Sequence, residues 1–469
     1  MRVTALLLLC LATLPICAAS FDELFTDRTM RVDYFHTSTP KGDEIVALDG
    51  VVSDGPWPGS RTRLIDTSNL GKYYFEVVDR DTNQVIFSRG FASVYGEWET
   101  TAEAKERPAT FHESLRFPWP KEEVQVVLKK RDARNAFQQV WSTVVDPASR
   151  FVNPSTIRPA GRVWSYLDNG HPSRKVDLLI IGEGYTESEM PKLRKDVERL
   201  AGKLFATEPF KSRKNDFNVR VLELPATKSG VHRPRTRDDR RSVTGVEYNI
   251  FDSERYVLTL DNKALRDAAS SAPYDFIEIL VNEKQYGGGG IFNDQATTSV
   301  DSAFSEYVFV HEFGHHFAGL GDEYYTSPVA YATGGTHHQE PWEPNITANG
   351  TRPKWMSLVT PGTPLPTPWN KEAFEKQQRA YQAERAKLRE ANVPESEMDA
   401  LFRREQAIET KMLSAEQHAG KVGAFEGAGY EATGLYRPEA DCIMFTRNEV
   451  GFCDVCTRAI LLMIDMQTR

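Results

Sequence analysis

From Phe21 to about Val145 the pattern of apolar and polar positions is strand-like throughout. Residues 72–78, 84–89 and 123–128 are short runs rich in β-branched and aromatic side chains, and each predicts a strand. The turn cluster at residues 79–83 lies between the first two and predicts a hairpin. Such a stretch, about 120 residues long, is the size of an all-β sandwich module, which we place at residues 21–146. Residues 146–160 turn to Pro, Ser and Asn, as a linker does. The period then changes. Residues 174–185 predict a buried strand ending in a glycine turn, and residues 186–189 form a capping box ahead of an amphipathic helix reaching Phe205. Residues 218–224 and 275–282 predict further strands, and this alternation marks an α/β domain over residues 160–469. Residues 370–418 differ again. A polar helix with many i,i+4 charge pairs runs over residues 375–390, Pro394 breaks it, and a second helix runs from Glu395 to about Leu413. This predicts a helical hairpin inserted in the α/β domain as a solvated lid or side wall.

Composition narrows the class without naming a function. The chain has 469 residues, 40% hydrophobic and 26% charged, enough for two or three globular domains. A formal charge of −9 and the lack of a basic, aromatic-interleaved stripe exclude general nucleic-acid affinity. The basic run at residues 232–241 carries its own aspartates and a proline, and reads as a solvated loop. Residues 1–20 read as a signal peptide: Arg2 supplies positive charge, residues 5–15 are apolar, and Cys17-Ala18-Ala19-Ser20 suits cleavage. A secreted or periplasmic protein is therefore expected. No later stretch is long and apolar enough to span a bilayer. Pro15-Ile16 lacks the small residue that lipoprotein processing prefers before a cysteine, so lipid anchoring is not expected. Cleavage would leave Cys442, Cys453 and Cys456. Export favours one disulfide, from Cys442 to Cys453 or Cys456, with one thiol left over. The CxxC at residues 453–456 lacks the second CxxC expected of a structural zinc site.

The chemistry is concentrated in His311-Glu312-Phe313-Gly314-His315. Histidines four apart project from one helix face and can hold one metal, and Glu312 can reach the water that a zinc ion polarises. Apolar residues 304–310 predict that this helix is buried. Gly319 and Gly321 can end it and turn the chain back toward the metal. A catalytic zinc takes three protein ligands and keeps one open position. The third is expected beyond the turn, at Asp322, with the adjacent Glu323 as the alternative. Glu312 is the expected general base. His316 points about 100° round the helix from its neighbour and reads as structural. Tyr324, Tyr325, Tyr430 and Tyr436 are candidate oxyanion donors, and spacing alone does not choose among them. His337 and His338 read as solvated loop residues. Gly287, Gly288, Gly289 and Gly290 form either a cleft rim along which an extended peptide adds as a strand, or a mobile surface loop. Met444 is placed to form a hydrophobic floor beneath the metal.

The segments VDLLIIGEGYTESEM, YGGGGIFND, HEFGHHFAGLGDEYY and DCIMF with the following FCDVC resemble the IgA metallopeptidase family of secreted bacterial zinc endopeptidases. The resemblance spans nearly all of the chain after the signal peptide. It implies an α/β zincin-like catalytic domain behind a β domain, with one catalytic zinc ion and protein or peptide substrates. It also implies His311, His315 and Asp322 as ligands, Glu312 as base and Met444 as a methionine turn. Gly319 and Asp322 each fall one residue later than the glycine and third ligand of the metzincin pattern. Nothing here identifies immunoglobulin as substrate. The same residues leave two other readings open. One is a secreted surface or glycan-binding protein on a metallopeptidase scaffold, with its glycan contact on the β domain; the intact Glu312 speaks against it. The other is an amidase acting on cell-wall peptide or glycopeptide.

Overall fold

The computed structural model describes residues 20–236, 239–326 and 338–468. The expected signal peptide, apart from Ser20, and His337 lie outside the described residues. A short helix α1 (Phe21–Leu24) leads into β1 (Phe25–Ser38), β2 (Glu44–Pro56), β3 (Tyr73–Asp79) and β4 (Val85–Phe91). Helix α2 (Val94–Trp98), β5 (Ala109–Pro120), β6 (Val124–Arg131), β7 (Phe137–Val145) and β8 (Val152–Asn153) follow. They make two four-stranded sheets, ordered β5-β1-β2-β8 and β4-β3-β6-β7. Successive side chains of a strand face opposite sides, so Tyr73, Phe75 and Val77 of β3 are buried while Tyr74 and Glu76 are not. The inner faces meet where the Phe75 and Phe117 rings lie 6.2 Å apart and Tyr34 stacks on Trp141 at 5.8 Å. The β3–β4 turn is held by Asp79, whose Oδ1 accepts from the Thr82 N–H at 2.7 Å, and Asn83 takes the positive φ of 56°. The segment read as a linker contributes more than a tether, since β8 pairs in parallel with β2.

The second half contains β9 (Arg162–Leu167), β10 (Val176–Glu183), α3 (Met190–Leu204) and β11 (Phe217–Glu223). The small strands β12 (Val246–Glu247) and β13 (Leu258–Thr259) pair with each other. Then come α4 (Asn262–Ala269), β14 (Phe276–Val281), β15 (Gly288–Ile291), β16 (Gln295–Ser299) and α5 (Ser305–Ala318). One six-stranded sheet runs β15-β16-β14-β10-β11-β9, parallel except at its two antiparallel edges. Every residue of β10 is buried because helices cover both faces of the sheet. Leu178 and Ile180 pack with α3 and α5, and Leu179 and Ile181 with α4. Thr186 and Glu189 form the expected capping box just before α3.

The chain continues through α6 (Lys371–Glu390), α7 (Glu395–Ser414), β17 (Phe425–Ala428), β18 (Glu431–Arg437) and α8 (Asp454–Thr468). Residues 391–394 join α6 to α7, and Gln378 Nε2 donates to Glu405 Oε1 at 2.9 Å across the pair. Met398, Leu401 and Phe402 of α7 pack on Phe304 and Val308 at the start of α5 and on Tyr286. The two helices therefore flank the helix that carries the histidines. The β half touches the same region from another side. The Ala92 N–H donates to the Phe292 carbonyl at 2.9 Å, and Asn293 Nδ2 to the Gly90 carbonyl at 3.1 Å. Arg31 bridges Asp33, Asp54 and Asp267 across the junction. Among the described residues no helix is long and apolar enough to cross a membrane.

Candidate metal centre and cleft

His311 and His315 stand one turn apart on α5, and their Nε2 atoms are 3.1 Å apart. The helix stops at Gly319, whose φ of 60° costs a glycine no Cβ strain, and its N–H donates back to the His315 carbonyl at 3.0 Å. That turn brings Asp322 over the helix. Its Oδ1 lies 3.1 Å from His311 Nε2 and 3.2 Å from His315 Nε2, and is buried without receiving a hydrogen bond. Three converging lone pairs at about 3.3 Å spacing are what a tetrahedral zinc with bonds near 2.0 Å requires. The donor set thus fits that ion, with Asp322 in third place. Glu312 offers a carboxylate oxygen within 4.8 Å of both imidazole nitrogens.

The outer contacts fix these side chains. His311 Nδ1 donates to the Ile443 carbonyl at 2.9 Å and His315 Nδ1 to the Leu320 carbonyl, which leaves both Nε2 atoms as acceptors for a cation. The Tyr430 hydroxyl donates to Asp322 Oδ2. Burial opposes charge throughout, yet Asp322 stays well below the usual carboxylate range because His315 and His311 face it. The reciprocal effect raises His315 to about 9 against its own desolvation. Burial pushes Glu312 up, tempered by the two imidazoles. Met444 is buried below, its Sδ pressed against Gly314 between the two histidines. His316 faces the other way: Nδ1 donates to the Ile291 carbonyl at 2.9 Å and Nε2 accepts from the Ile277 N–H at 3.1 Å. It stitches α5 to the sheet, and burial lowers it to about 3.

Residues 322–324 run extended, tied by Gly429 N–H to Asp322 O, Glu323 N–H to Met444 O and Tyr430 N–H to Tyr324 O. Alternation then sorts the side chains. Asp322 and Tyr324 line the cleft. Glu323 turns to the opposite side, among Cys442, Cys453 and Cys456. Tyr325 also turns away, its ring against Gly427 and Phe374. Tyr436 packs over Gly350, and His338 over Gly434. The expected disulfide is absent. All three cysteines are free and buried, with Cys442 Sγ 3.9 Å from Cys456 Sγ. That separation exceeds the roughly 2.05 Å of an S–S bond, and Glu323 is seated among the three thiols. Asn345 is also buried, clamping the Gly321 backbone and donating to Glu323 Oε1 at 3.0 Å.

The glycine run is a strand. β15 pairs antiparallel with β16 and forms the sheet edge beside α5. A Cβ on Gly290 would lie 2.3 Å from the Glu312 carbonyl, and one on Gly288 3.2 Å from Glu312 Cγ, so the absent side chains let the strand and α5 meet. A Cβ on Gly287 would meet Val257 and Tyr248, and one on Gly289 Tyr256. Gly288 exchanges backbone hydrogen bonds with Arg255 and Val257, and Gly290 turns the same way into the cleft. The cleft, about 300 Å³, is also lined by Glu312, His315, Trp342 and Tyr430, and by Lys72, Gly96 and Glu97 from the β half. Sequence reasoning missed that last wall, which has no local signal, and missed Arg255, whose Nη2 donates to the Tyr324 hydroxyl at 3.0 Å. In the basic run, Arg233 and Arg240 face Glu283, and residues 237 and 238 lie outside the described residues.

Comparison with known families gives two matches. Residues 165–464 match the family described as IgA Peptidase M64, and residues 20–142 the one described as Peptidase M64 N-terminus. No curated protein matches the chain.

Proposed function

This chain belongs to the IgA Peptidase M64 family, and on that premise we propose that it is a zinc-dependent endopeptidase with a zincin-like catalytic domain. The observation that carries the proposal is the convergence of His311 Nε2, His315 Nε2 and Asp322 Oδ1 beside the Glu312 carboxylate. His311, His315 and Asp322 would hold the ion. Bound there, zinc supplies a Lewis acid that lowers the pKa of water to about 7. Everything else falls to the protein. Glu312, raised by burial, accepts the proton of the attacking water and returns it to the leaving amine. Tyr324, whose hydroxyl accepts from Arg255 and keeps its own O–H to give, is the donor for the developing oxyanion, while the Tyr430 O–H is committed to Asp322. The substrate backbone aligns along β15 at Gly290, between the β-half wall and the α6–α7 pair. Glu323, Tyr325 and Tyr436 take no part in the chemistry. We also assign residues 1–20 as a secretion signal, in keeping with their composition.

The test is metal dependence of peptide hydrolysis. Complete removal of zinc by a chelator should abolish cleavage of a mixed peptide substrate, and stoichiometric zinc should restore it. Cleavage that survives zinc removal overturns the proposal.

A further inference from the structure

Behind the cleft, on the far side of the extended segment from Asp322, four buried side chains converge. Glu323 Oε1 lies 3.4 Å from Cys456 Sγ and 3.9 Å from Cys453 Sγ, and Cys442 Sγ lies 3.9 Å from Cys456 Sγ. The ligand atoms of all four lie within 4.8 Å of one another, and all four residues are buried. Around a tetrahedral zinc, bonds of about 2.3 Å to sulfur and 2.0 Å to oxygen give edges of roughly 3.8 Å between sulfurs and 3.5 Å from sulfur to oxygen. The Glu323–Cys456 and Cys442–Cys456 separations match those edges, and the Glu323–Cys453 separation is longer than its edge by about 0.4 Å.

A second observation points to a cation. Glu323 Oε2 is buried and receives no hydrogen bond. A carboxylate oxygen buried without a donor is unfavourable unless a proton or a cation meets it. Arg437 is buried nearby, but its Nη1 donates to the Gly427 carbonyl at 2.9 Å and its Nη2 to the Ala440 carbonyl at 3.3 Å. The sulfurs are oriented as ligands are: Cys442 Sγ accepts from the N–H of Met444 at 3.5 Å and of Cys453 at 3.4 Å, and Cys453 Sγ from Cys456 N–H at 3.5 Å. One disulfide would use two of the thiols and leave Glu323 unexplained.

We propose that Glu323, Cys442, Cys453 and Cys456 bind a second zinc ion, structural rather than catalytic. Four protein ligands close the coordination sphere, which leaves no position for water or substrate. Its place in the chain says what it does. Glu323 follows Asp322, and Cys442 precedes Ile443, whose carbonyl orients His311, and Met444, which lies under Gly314. Cys456 sits in the first turn of α8. The ion therefore ties three separate segments together directly behind the catalytic ligands, and Asp322 is held from its neighbour. N–H···S bonds and Arg437 temper the excess negative charge.

The experiment is cobalt substitution and metal counting on the full chain. The candidate catalytic site holds no sulfur, so intense thiolate-to-cobalt charge-transfer absorption reports this site alone. We expect about two zinc ions per chain, the charge-transfer band after cobalt exchange, and retention of one ion and of that band in His311→Ala/His315→Ala. Cys453→Ser/Cys456→Ser should lose the band; the wild-type spectrum stands as a readout even if that variant does not fold. Absence of the band with a single zinc that disappears in His311→Ala/His315→Ala would overturn the proposal. So would only one reactive thiol among Cys442, Cys453 and Cys456 in the denatured, unreduced protein, which would mean a disulfide between the other two. Because this readout ignores peptide cleavage, its failure is distinct from failure of the peptidase proposal.

Discussion

Asp322 and Glu323 are adjacent in the chain and serve opposite sides of it: Asp322 Oδ1 lies 3.1 Å from His311 Nε2, whereas Glu323 Oε1 lies 3.4 Å from Cys456 Sγ. The extended backbone between them forces this divergence, because consecutive side chains cannot share a face. One peptide thus joins the candidate metal cluster of the cleft to the thiol cluster. Asp322→Ala should therefore remove metal and cleavage at the cleft while leaving the cysteine cluster intact, as metal content and thiol accessibility together would show.

Tyr430 holds Asp322 from behind by donating to Oδ2. Tyr430→Phe removes that hydroxyl and little else. Loss of such an outer contact typically weakens metal binding about 10- to 100-fold. Competition against a zinc-binding dye measures it, and unchanged affinity would show that the contact does not orient the ligand.

Gly290 permits β15 to lie against α5. A Cβ there would sit 2.3 Å from the Glu312 carbonyl and 3.0 Å from His315 Cβ. Overpacking of this kind costs about 1–3 kcal/mol. Gly290→Ala should lower stability by that amount in urea unfolding and reduce turnover by moving Glu312. Gly202→Ala on α3, where nothing lies within 4 Å, should instead stabilise by about 0.5–1 kcal/mol. Equal effects at the two sites would contradict the packing account.

How much of this was legible depends on what a local pattern can carry. His311 and His315 were readable because a helix converts a spacing of four into one face. Asp322 was separable from Glu323 only by the pairing of residues 322–324 with residues 429–430 and 444, which no local pattern reveals. The same alternation turns Tyr325 away from the cleft. Gly287–Gly290 announced special backbone but not its cause, since the partner, α5, lies beyond another strand. The cysteines suggested a disulfide because the fourth group, Glu323, is remote in sequence. The β half read correctly as strands, yet Lys72, Gly96 and Glu97 reach the cleft through a docking that composition cannot encode.

His36 of β1 is buried between Glu113, 2.9 Å from Nδ1, and Glu44, 2.7 Å from Nε2, and stacks on Tyr95 at 3.6 Å. Burial disfavours its charge, but the two carboxylates raise it to about 9. A folded pKa above the unfolded value near 6.5 means stability fully present below that value and lost as pH rises through about 9. Between pH 6 and 10 the wild type should lose about 2–3 kcal/mol more than His36→Phe in chemical unfolding. Parallel pH profiles would refute the assignment.

The central claim is that Glu312 moves the proton in a zinc-dependent peptide cleavage. The most direct measurement is a cleavage profile of a complex peptide library by the zinc-loaded protein beside Glu312→Gln. General bases contribute about 10²- to 10⁴-fold, so the variant should bind zinc normally and lose its cuts by at least that lower factor. Identical profiles for the two proteins, or no cuts by the wild type with zinc bound, would contradict the account.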